Sequence, residues 1–313
     1  MRKLFLFLNL IAALACFASG PDTVPQQLQE AATSGDAASQ NSLAFLYLRS
    51  GNRDLALEWW LKAAEQNYVE AFVNLGSFYL EDGSVEAEYW YQRGAEYNDP
   101  KAYRGLGLYY ERVEKNMEMS LTWFKRGAEA GDVESQRALG YWYLRFQKDY
   151  STAISYFSPA VEKGDKLSMR GLADSYYNIK DYEKALYWYN ERAIQGDLES
   201  QCQLSYMYAY GMGTDINHDE ARYWLKRAAD GGLPQAQVNI ALYYSRGSIG
   251  FEQSTEKAFE WFKKAAEQGH PDAMYNVGVY YYNQCKYEEA RHWWELAIKK
   301  GSKDAELNIK RLQ

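Results

Sequence analysis

Histidine and cysteine are the residue types most often used for catalysis and metal binding, and this chain has few of them. Beyond the first twenty residues the histidines are His218, His270 and His292, and the cysteines are Cys202 and Cys285. A nucleophile needs an adjacent base, and a zinc site on a helix needs ligands three or four residues apart. No histidine here has a second histidine or a cysteine at that spacing, so we predict that the chain is not an enzyme and holds no metal ion or cofactor.

Composition and the first residues indicate an exported, folded protein. The formal net charge of −7 argues against a nucleic-acid-binding protein, which needs a basic surface. Arg2 and Lys3 are followed by an apolar run, which is typical of a signal peptide, predicted here over residues 1–19. Residues 13–16 resemble a lipoprotein cleavage box, so a lipid on Cys16 is the one membrane link expected. Ordinary cleavage is the alternative, and we expect the periplasm, the outer membrane or the secreted fraction.

One pattern repeats along the rest of the chain. A Gly or Asn, called the anchor here, is followed four residues later by Ala or Ser, and positions are counted from it. Positions 8, 9 and 12 are apolar, small and Tyr, which predicts a helix A. An Ala-x-x-Trp-aromatic motif, with close variants in three repeats, predicts a helix B. The anchors define eight repeats, over residues 35–66, 67–97, 98–130, 131–163, 164–195, 196–231, 232–268 and 269–300.

Two flanking segments complete the predicted domain organisation. Residues 20–34 are predicted to form a linker and the start of the first helix. Residues 302–313 are predicted to form a capping helix, because a repeat array needs its last apolar face covered. The repeated Trp and Tyr residues are interpreted as packing between helices, since they recur too regularly to form a single ligand platform.

Segments such as 236–241 and 257–269 carry the repeat motif most clearly, and the chain resembles the Sel-1-like repeat family (SLR), relatives of tetratricopeptide repeats, over residues 35–301. The resemblance implies an all-α fold, a right-handed α/α superhelical solenoid of eight helix-turn-helix repeats. It also implies that the chain binds a protein partner in a concave groove.

By the same resemblance, positions 6, 10, 13 and 14 of helix A face that groove. The candidate partner-binding residues are Arg104, Arg137, Arg170, Arg112, Arg145, Tyr141, Tyr177, Tyr206 and Tyr210. Arginine binds carboxylates through two parallel hydrogen bonds and tyrosine makes rigid contacts, so the expected partner has an acidic patch. The alternative is that these arginines form a solvated face paired with nearby glutamates.

The function predicted from these features is a non-enzymatic protein-interaction scaffold of the bacterial envelope or secreted fraction, acting as an adaptor or host-interaction factor. An alternative drawn from the family is a periplasmic immunity protein that neutralises a secreted toxic enzyme such as a lipase. An enzyme acting on cell wall or β-lactams would need a set of catalytic residues that the sequence does not offer. Binding through the convex side or the loops, rather than the groove, stays an alternative.

Overall fold

A computed structural model describes residues 24–312, and every regular element in that range is a helix. The predicted leader and Cys16 lie outside the described residues. The α-helices are α1 (Gln26–Thr33), α2 (Ala37–Arg49), α3 (Arg53–Glu65), α4 (Val69–Glu81), α5 (Glu86–Glu96), α6 (Pro100–Arg112), α7 (Met117–Glu129), α8 (Val133–Trp142), α9 (Tyr150–Glu162), α10 (Lys166–Asn178), α11 (Tyr182–Ala193), α12 (Leu198–Tyr210), α13 (His218–Asp230), α14 (Pro234–Arg246), α15 (Thr255–Glu267), α16 (Pro271–Asn283), α17 (Tyr287–Lys299) and α18 (Lys303–Ile309).

Two short helical segments extend this series. Residues Tyr143–Gln147 continue α8 with π-helical geometry, and Lys310–Leu312 form a 3-10 turn after α18. From α2 to α17 the helices alternate as A and B, so the all-α fold of helix-turn-helix repeats is confirmed. Within the described residues, no helix has the length and apolar content needed to cross a membrane.

The chain divides into two compact units, residues 1–139 and 140–313, and the boundary falls within α8. In the first unit the position-8 residues Leu43, Leu75, Leu106 and Leu139 are fully buried. In the second unit Leu172, Leu204, Ile240 and Val277 are buried as well. Each unit therefore has the continuous core of small repeats that the periodicity predicts.

The anchor residue ends one helix and prepares the next. Gly131 has a φ of +86° and Asn98 a φ of +56°, the left-handed conformation that commonly terminates helices. An aspartate often follows at once: Asp132 accepts a hydrogen bond from the backbone N–H of Ser135 at 2.8 Å, which caps the start of α8. The Gly-Asp pair is thus a stop signal followed by a start signal.

A ring from helix B enters a space left by glycines on two consecutive A helices. In the first unit Tyr91 of α5 is buried, and a methyl group added to Gly76 would lie only 2.6 Å from its ring. One added to Gly105 would lie closer still. In the second unit Gly140 and Gly171 enclose Phe157 in the same way. At position 9 the small residue therefore leaves space for an aromatic ring of the same repeat.

In four of the eight repeats a buried glutamine joins helix A to the helix that precedes it. Gln40, Gln136, Gln201 and Gln237 all stand at position 5, and each side-chain amide donates to a carbonyl near the end of the preceding helix. The distances lie between 3.0 and 3.2 Å. Each of these carbonyls also accepts the backbone N–H of the anchor glycine, so the glutamine adds a second hydrogen bond at the helix end.

The segments that flank the repeats are also helical. Helix α1 ends before the first anchor, Gly35, and buries Ala32 against α2, so most of the predicted linker that the structure describes is a separate helix. At the other end α18 begins after Ser302, and Asn308 donates to the hydroxyl of Tyr275 at 2.8 Å. Pro159 lies within α9, which runs as one helix from Tyr150 to Glu162.

We predict that Gly105→Ala lowers the free energy of unfolding by about 1–3 kcal/mol, because the new methyl group overlaps the ring of Tyr91. Helix propensity alone would give the opposite sign, a gain of about 1 kcal/mol. Urea denaturation followed by circular dichroism measures the change. The control Gln203→Ala, on the exposed surface of α12, should alter stability by less than about 0.5 kcal/mol. A stabilised Gly105→Ala variant would contradict this account of the packing.

Candidate binding surface

Arg104 and Arg170, both at position 6, are held by acids of the following repeat. The Nη1 of Arg104 lies 3.0 Å from Oδ1 of Asp132 and 2.6 Å from Oε2 of Glu134. The Nη1 of Arg170 lies 3.3 Å from Oε2 of Glu199 and 3.8 Å from Asp197. Asp132 and Asp197 also cap the helices that they precede. Each arginine therefore connects one A helix to the start of the next.

Other residues at position 6 make the same kind of connection with different chemistry. Asn41 accepts a hydrogen bond from Asn74 at 2.7 Å, and the thiol of Cys202 accepts one from Asn239 at 3.6 Å. In the last repeat Tyr275 bonds Asn308 of α18. Arg137 lies 3.9 Å from Glu134 of its own helix. Position 6 is therefore a contact between repeats, and the charge of Arg104 and Arg170 is already balanced by carboxylates.

The arginines at position 14 differ from those at position 6. Arg112 and Arg145 are exposed at the ends of their helical segments, as is Arg246 at the end of α14. None of these three arginines forms an ion pair among residues 24–312. The guanidinium of Arg145 lies 5.0 Å from the ring centre of Tyr141, a cation–π contact that leaves its N–H groups available. The unbalanced positive charge is therefore at position 14.

Tyrosines on the A helices of the second unit make up a surface that we call the tyrosine face. It consists of Tyr141, Tyr177, Tyr206, Tyr210 and Tyr243. The Tyr141 hydroxyl donates to the carbonyl of Leu167 in the next repeat at 2.9 Å, and Tyr177 reaches the sulfur of Met212 at 3.8 Å. The rings of Tyr206 and Tyr210 are 4.6 Å apart, and both side chains are exposed.

Tyr243 is the member of the tyrosine face that the sequence did not predict. It stands at position 11 of its repeat, beside the position-12 tyrosine Tyr244. Burial, the nearby hydroxyl of Tyr210 and a hydrogen bond to it raise the pKa of Tyr243 to about 12. The Tyr-Tyr dipeptide was the available signal, because adjacent residues of a helix face different directions.

A carboxylate interrupts the tyrosines at position 10. Asp174 stands at that position between Tyr141 and Tyr206, and its Oδ1 accepts a hydrogen bond from the hydroxyl of Tyr189. Burial raises the pKa of Asp174, while the Tyr189 hydrogen bond and the charge of Arg170 oppose that shift. Burial and the charge of Asp174 together raise the pKa of Tyr189. The pair forms a polar contact between α10 and α11 beneath the tyrosine face.

The histidines and cysteines are dispersed. His218 begins α13, His270 precedes α16, and His292 is exposed on α17. Cys202 is partly buried and Cys285 is exposed, and neither forms a disulfide. Residues 24–312 contain no group of three or more His, Cys, Asp or Glu side chains arranged to hold a metal ion.

We predict that Asp174→Asn unfolds at a higher urea concentration than the wild type at pH 7. The pKa of Asp174 is raised on folding, so between its unfolded and folded pKa values the folded chain keeps a proton that the unfolded chain has lost. The free energy of unfolding therefore falls as the pH rises above the unfolded pKa. The advantage of the neutral amide should therefore shrink towards pH 4. The exposed loop variant Asp215→Asn is the control and should change stability by less than about 0.5 kcal/mol. A larger advantage at pH 4 than at pH 7 would refute the assigned sign.

Comparison with known proteins places this architecture in a family. Sel1 repeats match at residues 37–68, 73–99, 100–132, 198–233 and 234–270, which together make up more than half of the chain. Tetratricopeptide repeats match at residues 138–197 and 271–304. A putative sel1-like repeat-containing protein of Acanthamoeba polyphaga mimivirus is 39% identical over 54 residues, which are 17% of this chain and 10% of that relative. The match thus spans about a tenth of this curated relative.

Solved structures extend the similarity to nearly the full chain. A Sel1 repeat protein from Oxalobacter formigenes is 28% identical with a TM-score of 0.73, and the match covers 96% of this chain and 93% of that one. A protective antigen of uropathogenic Escherichia coli strains that displays an SLR fold is also 28% identical, with a TM-score of 0.72 over 93% of this chain and 67% of the other. The matched repeats and these structures confirm the resemblance, and the chain belongs to the Sel1 repeat family.

Proposed function

We propose that this chain is a non-catalytic scaffold that binds a protein partner through the tyrosine face of its second unit. The exposed and touching side chains of Tyr206 and Tyr210 are the observation that carries the proposal. Tyrosine is enriched among residues that dominate binding energies, because it offers a large rigid surface with a polar end. A repeat fold of this family suits such a role, since its helices present side chains from many repeats side by side.

Charge at the two ends of the tyrosine face supports a partner with an acidic patch. Arg145 stands at the Tyr141 end and Arg246 at the Tyr243 end, and neither forms an ion pair among the described residues. Arg104 and Arg170 are assigned to holding neighbouring repeats together, because their ion pairs would have to break before they could bind a partner. Arg112 of the first unit shares the exposure of Arg145 and stays a candidate contact.

We also propose that the protein acts outside the cytoplasm, as an adaptor or host-interaction factor of a bacterium. The signal-peptide pattern of residues 1–19 supports export, with a lipid on Cys16 as one form of it. The similar protein from uropathogenic Escherichia coli is described as a protective antigen, and this description favours a role at the host interface for the present chain as well.

The experiment is affinity capture from envelope and secreted fractions, followed by titration of the captured protein. The double variant Tyr206→Ser/Tyr210→Ser should weaken binding by at least about 100-fold, since two anchoring aromatics contribute roughly 2 kcal/mol or more each. Charge reversal by Arg246→Glu should further weaken the binding of an acidic partner and make that binding less dependent on salt concentration. A captured enzyme whose activity falls on binding would favour the immunity role over the adaptor role.

The matched control is Tyr187→Ser/Tyr223→Ser, which removes two tyrosines of similar exposure from B helices of the same unit. This control should keep the partner and the helical circular dichroism of the wild type. If the control loses the partner while Tyr206→Ser/Tyr210→Ser retains it, the binding surface lies on the B helices and the proposal for the tyrosine face is wrong.

A further inference from the structure

The connections between helices A and B in the second unit carry exposed apolar side chains at their tips. Phe146 is 73% exposed in the fourth repeat, Ile179 is 43% exposed in the fifth, and Ile216 is 64% exposed in the sixth. Two of these connections lie side by side, because Gly213 of the sixth repeat packs against the backbone of Tyr182 at the end of the fifth connection. Isolated apolar residues on a surface are ordinary, but here three successive connections each carry one, so exposed apolar tips recur once per repeat where helix A turns into helix B.

Two of these tips have a lysine nearby, and each lysine has the left-handed backbone conformation, which is unfavourable for residues with a side chain. Lys148 has a φ of +53° and Lys180 a φ of +66°, and each immediately precedes the residue that caps helix B. The first repeat has Gly51 at the same place, with a φ of +81°. Glycine adopts this conformation without steric cost, whereas lysine does not. Within residues 24–312 the side chain of neither lysine forms a hydrogen bond or ion pair, so packing does not explain its presence.

The acids beside these lysines are engaged by the helix starts. Asp149 accepts hydrogen bonds from the backbone and hydroxyl of Thr152, and Asp181 forms an ion pair with Lys184 at 2.8 Å. The exposed Arg145 adds a positive charge beside Phe146. In the sixth repeat, by contrast, the exposed Asp215 stands next to Ile216. Positive charge and apolar tips therefore coincide at the fourth and fifth repeats.

We propose that the edge formed by Arg145, Phe146, Lys148, Ile179 and Lys180 docks on an anionic lipid surface. The two apolar tips would enter the boundary between headgroups and acyl chains, and the basic groups would contact lipid phosphates while their apolar stems stay at the boundary. Membrane contact through these residues is separate from the lipid anchor that the sequence suggests at Cys16. It uses none of the five tyrosines of the tyrosine face, although Arg145 also lies against Tyr141 of that face.

A lipid surface fits the geometry of this edge better than a protein partner does. The apolar side chains stand singly on the tips of separate connections, whereas the anchor residues of protein interfaces cluster in enclosed, well-packed sites. Phe146 and Ile179 each have a basic residue within two positions in the sequence. Apolar and cationic side chains are combined in this way in segments that lie on membranes. The protein's overall charge of −7 makes a local basic edge necessary for such contact.

The test is sedimentation of the full chain with vesicles of phosphatidylethanolamine and phosphatidylglycerol, compared with neutral phosphatidylcholine vesicles. The wild type should bind the anionic vesicles and not the neutral ones. The variant Lys148→Gly/Lys180→Gly should weaken binding about 30-fold, on the basis of two basic contacts near a charged surface. Its Tm should be equal to or higher than that of the wild type, because the backbone conformation suits glycine. Weaker binding with undiminished stability cannot arise from misfolding.

Two further variants test whether the vesicles bind at this edge or at another part of the surface. Phe146→Ser/Ile179→Ser should also lose most of the vesicle binding, since the apolar tips no longer enter the boundary region. The control Lys299→Gln/Lys300→Gln removes the same charge from the end of α17 and should bind as the wild type does. No binding to anionic vesicles, equal binding by all variants, or an equal loss in the control would overturn the proposal. Binding to polyglutamate but not to vesicles would reassign the edge to an acidic protein.

Discussion

The fold depends on the insertion of one side chain of helix B between the A helices of successive repeats. Tyr91 and Phe157 each contact two glycines, one on the A helix of their own repeat and one on the next. A ring buried in this way contributes roughly 4–6 kcal/mol of gross apolar stabilisation, which is comparable to the whole stability of a small domain. Because the ring packs against the A helix of its own repeat and against that of the next, its size sets the distance between these two helices. Glycine is tolerated within these helices for the same reason, although it lowers helix propensity.

Much of this architecture could be predicted from the sequence because the same local rules recur in every repeat. The anchors mark helix ends through their backbone conformation, and the position-8 residues are buried in all eight repeats. The role of Arg104 could not be predicted in this way, since its partners are Asp132 and Glu134 of the following repeat. The sequence did hold a sign of this pairing, because Arg170, like Arg104, is followed by an aspartate and a glutamate at the start of the next repeat. Comparing positions between successive repeats, rather than within one, would have revealed it.

The structure separates two sets of arginines that the sequence had grouped together. An arginine bridged by two carboxylates contributes mainly to the alignment of its neighbours, since a partner would have to compete with both acids. An arginine at the end of helix A, such as Arg145, forms no ion pair within the described residues and keeps its hydrogen-bonding capacity for a ligand. Position within the repeat therefore matters more than residue type. Tyr243 and Tyr244 both pack against Phe251, and the hydroxyl of Tyr243 also reaches that of Tyr210 on the tyrosine face.

In a repeat protein, a residue that suits its backbone conformation poorly is informative, because the same position in another repeat shows which residue that conformation accepts without cost. Gly51 demonstrates that glycine can occupy the residue before the helix-B cap, yet Lys115, Lys148 and Lys180 occupy it in the third to fifth repeats. A left-handed conformation costs a non-glycine residue on the order of 1 kcal/mol, and the lysine side chains recover none of it through bonds to the described chain. The contact with an anionic lipid surface proposed above would give such residues a role outside folding. The same reasoning applies to Phe146, whose burial elsewhere would have stabilised the fold but which instead projects from it.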